Sequence, residues 1–291
     1  MWKQRFSGVE LEFVGYKNYE FWTEVVSRAA LEANLEMYED LDEQHGVRPE
    51  ADLHLTYDAS VSGRGLELIT RPFLITDTQF RDSLAHVLNT IRLNGGIIDT
   101  TCGLHVHVAA EDFSLTHLYR LLLFVLEWEE VLAHLQHPYR RNTGFCMYLR
   151  PQLLQYNLIC SLGKQTDPTN IVQVKDGKAD KLYETVICRD RHILRNVISR
   201  YSIVNIIPYW NARHYEVRLG QGTLNPVRLW NWVMLQLKIA YYVHRAVPGP
   251  VPVRWKTRIP NLANVQKLFE VLDFKEGLPF FEHEYLRYLN R

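Results

Sequence analysis

Cys102-Gly103-Leu104-His105-Val106-His107-Val108 alternates two histidines with three aliphatic residues. That is the period of a β-strand whose imidazoles leave one face and whose apolar side chains leave the other. The same design recurs far away in the chain. Gly8-Val9-Glu10-Leu11-Glu12-Phe13 sets two carboxylates against Val9, Leu11 and Phe13. Gly65-Leu66-Glu67-Leu68-Ile69-Thr70-Arg71 offers Glu67 and Arg71 between apolar neighbours, and His214-Tyr215-Glu216-Val217-Arg218-Leu219 offers Glu216 and Arg218.

Ordinary amphipathic strands with a solvated polar face would explain any one of these segments. The choice of residues speaks for more. Exposed strand faces favour Thr, Lys, Ser and Gln, whereas these carry Glu, His and Arg almost exclusively. Such a set is an inventory for hard metal ions and phosphate. If the carboxylates converge with no cation among them, like charges ~4 Å apart repel by about 4 kcal/mol per pair at an effective dielectric near 20. The pattern therefore predicts a site that holds divalent ions.

The whole chain narrows the field. Its 291 residues hold one large domain or two small ones and can bury a substantial core. Lys+Arg and Asp+Glu both number 33, which leaves no global basic footprint for nucleic acid. Hydrophobic residues at 47%, with seven Trp and sixteen Tyr, describe a globular chain. No apolar run approaches ~20 residues and the start lacks a charged-then-apolar leader, so no membrane partner is expected. Cys102, Cys146, Cys160 and Cys188 form no CxxC and no disulfide framework, which predicts reduced thiols and a cytoplasmic protein. Cys102 reads as a small buried residue at a tight turn.

Taken in order, residues 6 to 14 read as a strand and Gly15 to about Met37 as a helix with Phe21, Trp22, Val25, Val26, Ala29 and Ala30 inward. The acidic run Glu36 to Glu43 reads as solvated surface. Leu53 to Tyr57 alternates as a strand, and Asp58 with Ser60 suits an Asx-type turn. Thr76 or Asp77 caps a helix that runs to Leu93 and stops at Asn94-Gly95-Gly96. Ser114 opens a long apolar helix, with His117, His134 and His137 as surface or capping residues. Arg140, Arg141 and Arg150 read as exposed arginines, with nucleotide phosphates as the alternative. Residues 161 to 180 are a long loop, a lid or a tether. Asn225-Pro226 starts a helix with Trp230 and Trp232 in the core. Pro248 to Pro252 is a linker, and short amphipathic helices near 261–273 and 281–290 brace the domain or a homo-oligomer contact.

Gly8-Val9-Glu10-Leu11-Glu12, then Asp58-Ala59-Ser60 ahead of Gly65-Leu66-Glu67-Leu68, then Cys102-Gly103-Leu104-His105-Val106-His107, then Glu216-Val217-Arg218-Leu219 with Gly222-Thr223-Leu224, together resemble the amidoligase family. That family looks like a compact relative of the glutamine synthetase and glutamate–cysteine ligase catalytic domain. The resemblance covers roughly residues 6 to 235. It implies an α+β fold with a curved, mostly antiparallel sheet lining a funnel-like active site and helices outside. Residues 1–247 would be the catalytic domain, with 248–291 bracing it.

The resemblance also implies an ATP- and Mg2+-dependent (or Mn2+-dependent) carboxylate–amine ligase that passes through an acyl phosphate. By the family's pattern Glu10, Glu12, Glu67 and Glu216 hold the metal, and His107 completes the nucleotide-side site. Arg200 and Arg218 meet the phosphoryl group, with Glu12 and Glu216 catalytic alongside them. His105, Asp58, Ser60, Arg71 and Asn205 fall at the substrate end. The amine partner is open among amino acid, peptide, polyamine and modified base, and the number of ions is open too. A metal-dependent hydrolase using the same Glu/His cluster, or a catalytically inactive binding module, remains as an alternative. The chain has no GxxxxGK[ST], HExxH, GxSxG or GxGxxG.

Overall fold

The first strand decides the layering. In β1 (Phe6–Val14) Val9, Leu11 and Phe13 are almost wholly excluded from solvent, as the alternation requires, but Glu12 on the other face is buried as well. A strand covered on both faces cannot be the solvated ribbon that simple amphipathicity suggests. The computed structural model describes residues 2–39, 51–63, 65–155, 198–245 and 258–289. The fold is α+β, and the chain divides into two compact units, Met1–Ala109 with Leu219–Leu237, and Ala110–Arg218 with Lys238–Arg291.

In the first unit β1 is followed by α1 (Tyr19–Glu32), β2 (Met37–Glu39), β3 (Leu53–Tyr57), β4 (Gly65–Thr70), β5 (Phe73–Leu74), α2 (Thr78–Leu93) and β6 (Gly103–Ala109). The sheet runs β2-β3-β4-β1-β6, with β5 paired to the start of β1. β1 pairs antiparallel with β4, β5 and β6, and β3 pairs antiparallel with β4, while β2 and β3 run parallel. The sheet is thus mixed and mostly antiparallel.

Helix boundaries follow local chemistry. Asn18 Oδ1 accepts the Phe21 N–H and starts α1 four residues later than the apolar pattern alone suggests. Asn34, at φ 55, ends that turn in the left-handed region and frees Met37–Glu39 to join the sheet edge. The acidic run expected to be plain surface therefore begins as a strand. Asp77 Oδ1 accepts the Phe80 N–H and starts α2 as expected. Trp22 meets Phe13 edge-on at 5.4 Å, which pins α1 to the apolar face of the sheet. A Cβ at Gly15 would fall 1.9 Å from Trp22 Nε1, so this glycine is what lets the indole close on the strand end.

The second unit is built on α3 (Leu115–His134), buried over most of its circumference. Ser114 and His117 form a capping box, His134 Nδ1 lies 2.7 Å from the Glu130 carbonyl, and His137 Nδ1 accepts the Tyr139 N–H. All three histidines serve helix ends. α4 (Leu149–Gln155), β7 (Val204–Asn205) and α5 (Tyr209–Ala212) follow. β8 (His214–Gln221) pairs antiparallel with β7, and α6 (Pro226–Arg245) follows it. α7 (Leu262–Val271) and α8 (Leu278–Leu289) close the chain, burying Val265, Leu268, Phe269, Phe281, Tyr285 and Tyr288.

The boundary between units falls inside β8 and α6. In the first unit the end of β8 lies along the start of β6: the Gly222 N–H donates to the Cys102 carbonyl at 3.1 Å, and a Cβ on Gly222 would collide with Cys102. Cys102 is fully buried there, and burial pushes its thiol up to about 12, which suits packing and not nucleophilic work. Among the described residues no helix is long and apolar enough to cross a membrane. The loop expected at 161–180 and the 248–252 linker lie outside the described residues.

Candidate active site

Strand register gathers the acids. Glu12 in β1 stands directly opposite Glu67 in β4, and Thr56 in β3 stands opposite Glu67 on its other side. Glu10 stands opposite His105 in β6, and His107 opposite Gly8. Directly opposed residues have Cβ atoms about 4.5–5.5 Å apart, so like charges at such positions oppose folding. Glu12 and His105 are each 3% exposed, which removes the water that would otherwise soften that repulsion.

The imidazoles work into this row of carboxylates. His105 Nδ1 lies 2.8 Å from Glu10 Oε2, and its Nε2 lies 3.3 Å from Glu12 Oε1. His107 Nε2 lies 2.8 Å from the other Glu10 oxygen. The backbone N–H of Gly103 donates to Glu12 Oε2. Burial alone would push the Glu10 carboxyl up; the charge of His107, with hydrogen bonds from both histidines, outweighs it and holds Glu10 well below the usual carboxylate range. Positive charge is what this face requires.

A divalent cation meets that requirement on donor chemistry. One ligand atom from each of Glu12, Glu67 and His105 lies within 4.8 Å of the others. Two carboxylates and an imidazole suit Mg2+, and suit Mn2+ better because of the nitrogen. The sequence assigned His107 to the metal and His105 to substrate. The structure brings His105 to Glu12 and Glu67, and His107 to Glu10.

The outer candidates have local partners. Asp58 Oδ1 accepts the Ser60 N–H at 2.7 Å, an Asx turn that leads into β4. Arg71 is tied to Asp52 and Asp77, with its guanidinium 4.6 Å from the Phe80 ring centre. Its position follows from those ion pairs without any ligand.

In the second unit Glu216 and Arg218 of β8 point to the same side of the strand and bond to each other. Asn205 Nδ2 donates to Glu216 Oε2 at 2.8 Å while its Oδ1 accepts the Ile207 N–H, so Asn205 fixes the carboxylate from the neighbouring strand. Arg218 Nε also donates to the Phe145 carbonyl at 3.4 Å. Arg200 is exposed, with its guanidinium 5.4 Å from the Tyr201 ring centre.

Two residues escaped the sequence reading. Arg140 is 3% exposed and not the surface arginine expected, and its Nη2 donates to the Arg218 carbonyl. Glu129 on α3 is buried and accepts the backbone N–H groups of Leu149 and Arg150, which caps α4. No periodicity signals either role, because both partners come from a distant turn.

Comparison with known proteins gives three results. The model of a family described as "Putative amidoligase enzyme" matches residues 3–240. No curated protein matches the sequence. Among solved structures, the complex between the prokaryotic ubiquitin-like protein Pup and its ligase PafA is similar at 12% identity and a TM-score of 0.37, covering 99% of this chain and 64% of that chain. The present chain thus spans 64% of the length of that structure's chain.

Proposed function

The chain belongs to the amidoligase family, and on that footing we propose that it joins a carboxylate to an amine at the expense of ATP, with Mg2+ as the working ion and Mn2+ as its substitute. The observation that supports this most is Glu12 set opposite Glu67 in register, with His105 within reach of both. Two carboxylates opposed in register, Glu12 buried and Glu67 half-buried, repel each other less with a cation between them, and divalent ions with ATP supply the chemistry that such a ligase needs.

A carboxylate does not condense with an amine at neutral pH until one of its oxygens becomes part of a good leaving group. In the first step the substrate carboxylate attacks the γ-phosphorus of ATP, the bond to the bridging oxygen breaks, and ADP leaves beside an acyl phosphate. In the second the amine nitrogen attacks the acyl carbon, phosphate departs, and the nitrogen gives up a proton. When bound, the divalent ion would neutralise charge on the phosphoryl oxygens during transfer.

Glu12, Glu67 and His105 would hold that ion, with Glu10 and His107 as further members of the set. Arg218 and Arg200 would pair with phosphoryl oxygens, which the planar guanidinium matches at two points. Asn205 would keep Glu216 aligned, and Asp58, Ser60 and Arg71 would lie toward substrate. We place catalysis in residues 1–247, on a funnel-like wall of the glutamine synthetase kind, with 248–291 as a brace. Amino acid, peptide, polyamine and modified base all remain candidates for the amine, since fold alone does not select a substrate.

The test is direct. Incubation with MgATP and pools of carboxylates and amines should release ADP and give a product lighter by one water than its two parts. An imidazole beside two carboxylates would equally suit a metal-activated water in an ATP-independent hydrolase. Amide cleavage with no ADP formed would favour that second reading.

A further inference from the structure

Phe145 and Tyr201 are large rings left in the open, 49% and 37% exposed, on a backbone that is otherwise firmly tied down. Cys146 and Ser202, the residues next to them, are fully buried. The Met147 N–H donates to the Tyr201 carbonyl at 2.8 Å, and the Ile203 N–H donates to the Met147 carbonyl at 2.9 Å. The Phe145 carbonyl accepts from Arg218. These hydrogen bonds hold the two segments side by side, so the rings are presented by scaffold and not by a loose loop. The rings meet edge to face, with centres 5.9 Å apart and planes at 86°. In that geometry the ring that presents its edge has neither face taken up by the other ring.

Positive charge lies against one of these rings, Tyr201. The guanidinium of Arg218 is 5.8 Å and that of Arg200 is 5.4 Å from the Tyr201 centre. Glu216 offsets Arg218. Arg200 has no carboxylate partner among the described residues, which leaves one guanidinium in excess beside an open aromatic surface. A ligand that carries a flat π-system a short distance from several negative charges satisfies both features, and a nucleoside triphosphate is that kind of molecule.

We propose that Phe145 and Tyr201 form the base-stacking edge of the nucleotide site, with Arg200 and Arg218 taking the phosphate chain. This rests on the ligase reading above and goes beyond it by assigning the residues that distinguish a nucleotide from bare polyphosphate. Stacking on an aromatic face is tolerant of base identity, so the edge selects for a base without selecting strongly which one.

The experiment compares MgATP with magnesium tripolyphosphate, which has the charge and no base, by calorimetric titration of the full chain. Phe145→Ala should weaken ATP binding about tenfold, the usual scale of a lost stacking contact, and leave tripolyphosphate binding unchanged. Phe145→Leu, which keeps the bulk and packing, should weaken ATP in the same selective way. Arg200→Ala should weaken both ligands. If both Phe145 variants bind ATP as wild type does, or lose the two ligands equally, the aromatic edge is not a base platform and the inference falls while the ligase reading stands. If the wild-type chain binds tripolyphosphate but not ATP, or neither, the reading it rests on falls with it.

Discussion

Glu10 and Glu129 are both carboxylates drawn out of water, and burial ends differently for each. Glu10 sits on a sheet face between two imidazoles and is held well below the usual range. Glu129 sits on a helix, with backbone N–H groups as its partners, and burial dominates: its carboxyl is pushed up to about 7. The first environment is built around full charge, the second around shape and hydrogen bonding. On the proposed function the sheet face that holds Glu10, and Glu12 opposite Glu67, is where a cation would sit, whereas Glu129 caps α4.

The sharpest way to break the comparison is to remove one opposed acid. Glu12→Ala should lower ADP release by at least ~100-fold, on the scale of losing a metal-holding group. It should lower the melting temperature only modestly, since the lost repulsion with Glu67 offsets part of the cost of leaving the Gly103 N–H and His105 without their acceptor. A variant that turns over normally, or one that unfolds, would show that Glu12 serves the fold as Glu129 does.

Glu129 gives the complementary prediction. Its folded pKa, about 7, lies above the ordinary value of 4.5, so the folded state keeps a proton that the unfolded state has already lost. The resulting penalty is absent below pH 4.5, grows as pH rises, and is complete above pH 7, at roughly 3 kcal/mol. In Glu129→Gln that decline in stability should disappear from denaturant titrations run across this window, with activity retained. An unchanged slope would mean that Glu129 is charged throughout.

Smaller effects refine the picture in the second unit. Arg140→Met leaves the Arg218 carbonyl without its donor and should cost about 1–2 kcal/mol in chemical denaturation. If Arg140 positions Arg218, turnover should fall too, and a stability loss with normal turnover would make it a packing residue only. The least disturbing change is Asp58→Asn, which keeps the Asx turn to Ser60. Stability should hold to within about 0.5 kcal/mol, so any rise in KM for one substrate would report contact with that substrate.

How much of this was written in the sequence depends on how local the cause is. Alternation in Val9-Glu10-Leu11-Glu12-Phe13 and in Leu104-His105-Val106-His107-Val108 exposes the strands and their shared polar face directly, because side-chain direction has period two. Caps at Asp77, Ser114 and Asn225 were equally plain, since a cap is fixed within three residues. Which of His105 and His107 reaches Glu12 was not. Both leave the same face, and only the pairing of Glu10 with His105 across β1 and β6 decides which imidazole reaches Glu12. Arg140 and Glu129 were invisible for the same reason. Each answers a backbone group tens of residues away, and no spacing announces it.

Everything functional follows from one assignment, that Glu12, Glu67 and His105 hold a divalent ion. Titration of the ATP-free chain with Mn2+, followed by the loss of its free-ion EPR signal, tests that assignment without reference to any substrate. We expect saturable binding that Mg2+ competes away and that is lost when Glu12→Gln and Glu67→Gln are combined. Mn2+ binding of equal strength in the double variant, or none in the wild type, would contradict it.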